Sequence, residues 1–180
     1  MGLGYETSSV ARLGFLSAKT SVYVQLCRTL GLTGTIRDGG NTSEYASYAA
    51  FSRAFSSPET GLGSIVNEAV PRDLGTFLEA TAWRLIWGLN LARGTVEGAV
   101  EEANAVLAAT RRYLLAFEIG NEPDLFPHRE LHRNKGYKYE DYLHDYRKFR
   151  DALRKNIPGT LRAGPDVGDR DLMGFEICAG

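Results

Sequence analysis

The segment Asn121-Glu122-Pro123 sets an amide and a carboxyl group side by side at the end of an apolar run. Residues 113–119 are apolar or aromatic except for Glu118, and Gly120 and Pro123 close the run, which predicts a strand. Pro123 disfavours the αR conformation at Glu122 and favours an extended backbone, so the side chain is expected to point out of the strand end. A carboxyl group at this place can donate or accept a proton, although a Glu before a proline is more often a surface residue.

Strand and helix patterns alternate five times along the chain, and polar, glycine-rich residues follow each strand. Strands are predicted at 3–7, 33–37, 84–89 and 113–119, and a fifth begins at 161–163. Helices are predicted at 17–31, 71–81, 96–107 and 139–157. Residues 43–70 follow no single period and are expected to form an excursion with short helical pieces. This alternation predicts a parallel α/β sheet, in which ligands bind beyond the carboxyl ends of the strands.

Apolar periodicity assigns a face to three of the predicted helices. In the first helix the apolar residues are Val22, Leu26 and Leu30, with Cys27 alongside. In the third helix they are Val96, Ala99, Val100, Ala103, Val106 and Leu107. In the last helix they are Tyr139, Tyr142, Leu143, Tyr146, Phe149, Leu153 and Ile157, and core contact is the simplest role for the tyrosines.

The predicted strand ends carry amides and carboxylates that suit the binding of hydroxyl groups. They are Glu6, Arg37, Asn41, Asn90, Asn121, Glu122 and Asp166. In a barrel these ends form one mouth, and a sugar fits their chemistry. Period two along the fourth strand places Glu118 on the same side as Glu122, below it. A buried carboxylate needs a partner, and Arg37 is expected to pair with Glu118.

Composition and motifs exclude several other classes of protein. The formal net charge of -1 does not favour a nucleic-acid partner. The chain has no phosphate-binding loop, no dinucleotide fingerprint and no metal-ligand spacing, so we expect neither cofactor nor metal. No segment approaches the roughly 18 apolar residues of a membrane span, and no signal peptide is evident, so the sequence leaves the compartment unknown.

Four segments in order resemble known glycosidases. Residues 118–124 resemble the acid/base strand of the retaining glycosidases of clan A. Residues 37–45, 86–90 and 164–168 resemble glycoside hydrolase family 79, which contains heparanase and β-glucuronidases, and the opening Gly4-Tyr5-Glu6 fits its first strand. The resemblance implies a (β/α)8 TIM barrel, of which this chain would be about the first five βα units, with parallel strands and outer helices.

The resemblance also implies roles for individual residues and a carbohydrate substrate, a β-glucuronide or glucuronate-containing glycan. Glu122 matches the general acid/base, and Asn121 matches the amide that contacts the sugar 2-hydroxyl. Glu6 and Asn41 match positions that touch sugar hydroxyls, and Asp169 occupies a substrate-contact position with a changed residue type. Family members are often secreted or lysosomal.

Retaining hydrolysis needs a second carboxylate about 5 to 5.5 Å from the acid, and the family carries it on the seventh strand. Glu176 follows the fifth strand too closely to be that nucleophile. We therefore expect residues 1–180 to be a truncated catalytic barrel domain, without its C-terminal half and β-sandwich, inactive alone and prone to self-association through open sheet edges. The alternatives are another clan A glycosidase acting on a neutral sugar, or a non-catalytic glycan-binding half-barrel.

Overall fold

The computed structural model describes residues 1–50, 63–127, 136–164 and 166–168, and the elements alternate as the sequence predicts. The strands are β1 Gly2–Glu6, β2 Thr35–Gly39, β3 Ala46–Tyr48, β4 Ser64–Val66, β5 Arg84–Leu89, β6 Leu114–Ile119 and β7 Leu161–Ala163. The α-helices are α1 Thr7–Val10, α2 Ser21–Leu30, α3 Ala69–Thr81, α4 Val96–Thr110 and α5 Tyr139–Asn156. Three 3-10 helices cover Asn41–Tyr45, Arg111–Tyr113 and Pro123–Leu125.

Five strands form one parallel sheet in the order β1-β2-β5-β6-β7, so the strands of this sheet lie in chain order, with the separate pair β3 and β4 between β2 and β5. In the register, Arg37 on β2 pairs with Ile86 on β5, and Gly88 on β5 pairs with Glu118 on β6. Helices α2 to α5 pack side by side on one face of this sheet. This is the arrangement of the first five units of a (β/α)8 barrel, which confirms the predicted α/β fold.

Alternation along the central strand β5 separates the two faces of the sheet. Leu85, Trp87 and Leu89 point towards the helices and are fully buried. Burial of each such side chain contributes about 2 kcal/mol, so this layer is the main apolar core. The opposite face carries Arg37 and Glu118, and in a closed barrel it would face the interior.

The apolar face predicted for α2 is wrong. Val22, Leu26 and Leu30 are 75%, 54% and 50% exposed, whereas Val24 and Cys27 are buried. An aromatic cluster selects the inward face, because Tyr23 on α2 stacks against Phe15 and Phe77. The helix begins at Ser21 and not at residue 17.

The apolar stripes of α4 and α5 are confirmed, since Ala103, Val106, Phe149 and Leu153 are buried. β5 has its predicted bounds, whereas β2 begins two residues later than predicted. Gly34, directly before β2, packs against Trp83, since a Cβ atom there would lie 2.5 Å from the indole.

Residues 51–62 of the predicted excursion lie outside the described residues. The rest of 43–70 contains the end of the 3-10 helix Asn41–Tyr45 and also the short parallel pair β3 and β4, which was not predicted. Strands of three residues are too short to show a period. Among the helices of the described ranges, none is both long and apolar enough to cross a membrane.

Candidate functional site

All five strands of the large sheet are parallel, so their carboxyl ends lie along one edge, and most predicted site residues occur there. The pairing of β6 and β7 continues past both strands, because Asn121 and Asp166 form a further bridge. The Glu122 amide donates to the Asp166 carbonyl oxygen at 2.8 Å. The loops after β6 and β7 are thus held together at the residue proposed to carry the acid.

Arg37 connects three side chains at this edge. Its Nε donates to Glu118 Oε2 at 2.7 Å, and its Nη2 donates to Glu118 Oε1, which confirms the predicted pair. Nη2 also donates to Asn121 Oδ1 at 3.0 Å and to Asp166 Oδ2. The hydrogen bond to Glu118 is the main reason that the pKa of Arg37 is raised. Glu118 is therefore a structural partner of the guanidinium, as expected.

The Asn121 side chain has a defined orientation because Arg37 can only donate hydrogen bonds. Asn121 Oδ1 faces the guanidinium, so Nδ2 is turned away from it and can donate to another group. The residue is only 5% exposed, and its backbone N–H donates to the buried carboxylate of Glu44. Both the backbone and the amide group are therefore fixed.

Glu122 adopts the left-handed conformation, with φ 48° and ψ 55°, so the extended backbone predicted from Pro123 is wrong. Pro123 still excludes αR at this residue, but two backbone bonds select a turn. The Glu122 N–H binds Asp166 O, and its carbonyl oxygen accepts from Leu125 N at 2.9 Å, which starts the 3-10 helix. A non-glycine residue in this region costs about 1 kcal/mol and is enriched at functional sites.

Gly168 packs against the carboxyl group of Glu122. A Cβ atom at Gly168 would lie 3.1 Å from Glu122 Cδ and 2.8 Å from a Leu125 methyl carbon. The Gly168 N–H donates to Asp124 Oδ1 at 3.0 Å, and Asp124 is fully buried. The segment after β7 therefore forms one wall beside the Glu122 carboxyl group.

Glu6 and Asn41 meet at the carboxyl ends of β1 and β2. Glu6 accepts from Asn41 N at 3.3 Å, from Thr42 N at 2.8 Å and from the Thr42 hydroxyl at 2.7 Å. Gly40, at φ 70° and ψ -168°, has a conformation that is essentially restricted to glycine, and a Cβ atom there would also lie 2.5 Å from the Glu6 carboxylate. The Asn41 Oδ1 atom is buried and has no hydrogen-bond partner in the described part of the chain.

Asn90 and Asp169 are the two remaining residues expected at the site. Asn90 Oδ1 accepts from Arg93 N and Gly94 N and so stabilises the loop after β5. Its Nδ2 donates to Ala46 O on β3 at 2.7 Å. Its amide therefore has a structural role at this edge. Asp169 lies outside the described residues.

Glu44 is a residue at this edge that sequence reasoning did not assign. Its carboxylate is 1% exposed and binds backbone N–H groups in the loops after β5 and β6. The available signal was its place in the motif of residues 37–45, three positions after Asn41. Nothing in that spacing indicates which distant loops the carboxylate reaches.

Two further carboxyl groups, those of Asp38 and Glu102, are buried on the helix side of the sheet. The Trp87 indole donates to Glu102 Oε1 at 3.0 Å, and burial raises the pKa of Glu102 to about 7. Burial, and then the nearby charge of Glu102, raise the pKa of Asp38 well above its usual range. Neither Asp38 oxygen has a hydrogen-bond partner among the described residues, and the nearby Thr7 hydroxyl donates to Gly39 O at 3.3 Å.

Within the described ranges, no group of three or more His, Cys, Asp or Glu side chains is arranged to hold a metal ion.

No protein-family model and no curated protein matches the chain. A solved structure does, that of a 4-O-α-L-rhamnosyl-β-D-glucuronidase from Fusarium oxysporum 12S in complex with Rha-GlcA. The TM-score is 0.76 at 21% sequence identity, and the match covers 96% of this chain and 38% of that chain. The likeness shows that the two proteins share the fold, and this chain spans less than half the length of that enzyme.

Proposed function

We propose that this chain carries the acid/base part of a retaining glycoside hydrolase site that acts on β-linked glucuronides. The observation that carries the proposal is the arrangement at the end of β6, where Arg37 fixes the Asn121 amide directly before Glu122. The shared fold with a glucuronidase agrees with it. Residues 1–180 would then be the N-terminal part of a family 79 catalytic barrel, like that of heparanase.

In this mechanism Glu122 acts twice. Its carboxylic acid first donates a proton to the glycosidic oxygen as the bond from that oxygen to the anomeric carbon breaks. The resulting carboxylate then accepts a proton from the water that attacks the anomeric carbon of the glycosyl intermediate. The second step regenerates the acid.

The neighbouring groups would bind the sugar. Asn121 Nδ2, turned away from Arg37, would donate to the 2-hydroxyl, a hydrogen bond that strengthens towards the oxocarbenium-like transition state. Glu6 accepts three hydrogen bonds within the protein, and a carboxylate has about four acceptor sites, so it retains capacity for a sugar hydroxyl. Asn41 and Asp169 are the other substrate-binding residues of the proposal.

We expect the nucleophile that this mechanism needs to lie outside the described residues, because the family carries it on the seventh strand. The other carboxylates at this edge all accept hydrogen bonds within the protein: Glu6 from Asn41 and Thr42, Glu44 from two backbone amides, Glu118 and Asp166 from Arg37, and Asp124 from Gly168. We therefore expect these 180 residues to bind a glycan without turning it over.

Because each of these carboxylates is engaged, a non-catalytic glycan-binding role is the second candidate function. Titration of the isotope-labelled chain with a β-glucuronide disaccharide, followed by NMR, tests binding. We expect shifts at residues 118–125, a loss of affinity of about tenfold in Asn121→Ala, and weaker binding of the matched neutral glucoside. A neutral glucoside that binds better would instead favour a neutral-sugar glycosidase, and no binding of either sugar would overturn the proposal.

Incubation with an aryl β-D-glucuronide separates catalysis from binding. We expect no release of the aryl group beyond that of Glu122→Gln, which serves as the matched variant. Robust release that Glu122→Gln abolishes would show that a second carboxylate is present, and would contradict the expected inactivity.

A further inference from the structure

Glu44 is a buried carboxylate at the centre of the candidate site, in the 3-10 helix that follows β2. It is 1% exposed, and a carboxylate in such a place must be compensated by hydrogen bonds. Its two oxygens bind donors from two different loops. Oε2 accepts from Ala92 N at 2.7 Å, and Oε1 accepts from Asn121 N.

These two bonds tie together three strand ends. Glu44 itself follows β2, Ala92 follows β5 and Asn121 follows β6, and the partners are 48 and 77 positions away along the chain. Hydrogen bonds from backbone N–H groups to a carboxylate are about twice as strong as neutral ones. One side chain therefore sets the relative position of three loops.

The hydrogen bond that Glu44 accepts from Asn121 N–H lies at a turn whose flanking residues both have positive φ. Gly120 has φ +82° and Glu122 has φ 48°, and the Asn121 amide lies between them. Such conformations persist only where the surroundings hold them. The Glu44 carboxylate holds the upstream side of this turn, and the Asp166 carbonyl oxygen holds the Glu122 amide.

We propose that Glu44 is a positioning residue for the acid/base Glu122. By accepting the Asn121 amide it fixes the turn at which Glu122 leaves the sheet, and so the direction of the Glu122 side chain. The role of Glu122 as acid/base rests on the proposed function above, whereas the control of its conformation does not.

The variant that tests this is Glu44→Gln, which keeps the size of the side chain but sets an NH₂ group against one of the two N–H donors. Glu102→Gln is the matched control, because Glu102 is also buried, accepts from an indole N–H and lies on the helix side of the sheet. We expect Glu44→Gln to shift the backbone NMR signals of residues 120–125 and to weaken binding of the β-glucuronide disaccharide about tenfold, under conditions where both variants are folded. Glu102→Gln should leave both unchanged.

A measurement on the unaltered chain keeps the test valid if Glu44→Gln does not fold. The Asn121 amide should exchange with solvent as slowly as the amides of β6, although it lies beyond the strand end. Fast exchange at Asn121, or unchanged signals at residues 120–125 in a folded Glu44→Gln, would overturn the positioning role. Absence of disaccharide binding in the unaltered chain, with the signals of residues 120–125 shifted in Glu44→Gln, would count only against the proposed function.

Discussion

Arg37 and Glu118 lie 81 positions apart in the chain and form a two-point ion pair across the open face of the sheet. The Glu118 side chain is 8% exposed and that of Arg37 is 30% exposed, so the carboxylate is the more strongly buried partner. β5 separates their two strands in the sheet. The guanidinium therefore reaches over the central strand and still contacts Asn121 and Asp166.

Replacement of Arg37 should be costly because it leaves the Glu118 carboxylate buried without its cation. We expect Arg37→Met to lower the free energy of unfolding by about 3 kcal/mol, measured by urea denaturation. Arg37→Met combined with Glu118→Gln should recover part of that loss. Equal destabilisation in the single and double variants would show that the pair is not the cause.

The left-handed conformation of Glu122 predicts which of two neutral variants is the more stable. Asn tolerates this conformation better than Gln does, so Glu122→Asn should be more stable than Glu122→Gln by about 0.5 to 1 kcal/mol. Thermal unfolding of the two variants measures the difference. If Glu122→Gln is equally stable, the residue does not hold the left-handed conformation in solution.

Gly40 combines a glycine-restricted backbone conformation with crowding, whereas Gly14 is strained but uncrowded. Both have positive φ, but a Cβ atom at Gly40 would overlap the Glu6 carboxylate, whereas nothing lies within 4 Å of one at Gly14. Gly14→Ala should cost about 1 kcal/mol from strain alone, and Gly40→Ala should cost at least about 1 kcal/mol more. Denaturant titration of both variants provides the comparison, and equal costs would contradict the packing of Glu6 against Gly40.

The raised pKa of Glu102 predicts how the stability of the fold depends on pH. Its pKa rises from 4.5 to about 7 on folding, so the folded state binds more protons between these values, and stability falls as pH rises through this range. The loss from this group is about 3 kcal/mol by pH 8. Asp38, whose pKa is also raised, adds a change of the same sign.

Glu102→Gln is the variant that checks this assignment, because its amide oxygen can still accept from the Trp87 indole. Denaturant titrations at a series of pH values should show a smaller decline in stability for this variant. An undiminished decline in Glu102→Gln would assign it to other groups.

The exposed stripe of α2 and the edges of the sheet predict self-association. Leu26 is 54% exposed on an apolar stripe, and β1 and β7 end the five-stranded sheet of the described residues. Sedimentation should show concentration-dependent assembly, which Leu26→Glu reduces. Gln25→Glu, on an exposed neighbour in the same helix, adds the same charge and should not; a monomer at all concentrations would contradict the prediction.

Periodic patterns account for the parts of the fold that sequence could predict. The stripes of α4 and α5 and the bounds of β5 followed from apolar residues at regular spacing. The buried face of α2 did not follow from spacing, because Val22-Leu26-Leu30 and Tyr23-Val24-Cys27 both fit a helical period. Only the packing of Tyr23 against Phe77 distinguishes the two faces.

At the site, the sequence predicted which residues come together better than it predicted their conformations. The Arg37–Glu118 pair followed from strand ends and the need to compensate a buried charge. The left-handed turn at Glu122 and the contacts of Glu44 depend on loops distant in the chain, and no local spacing encodes them.

Because sheet neighbours follow one another in the chain, each new strand docks onto one that already exists. Paired residues of the large sheet are about 30 to 50 positions apart, so no pairing waits for a distant segment. During synthesis the sheet can therefore grow from β1 towards β7 as the chain leaves the ribosome, whereas the turn at Glu122 is completed only after α5, when Asp166 is present to accept from the Glu122 amide. Vectorial growth of this kind makes β7 the last strand of the described sheet to dock.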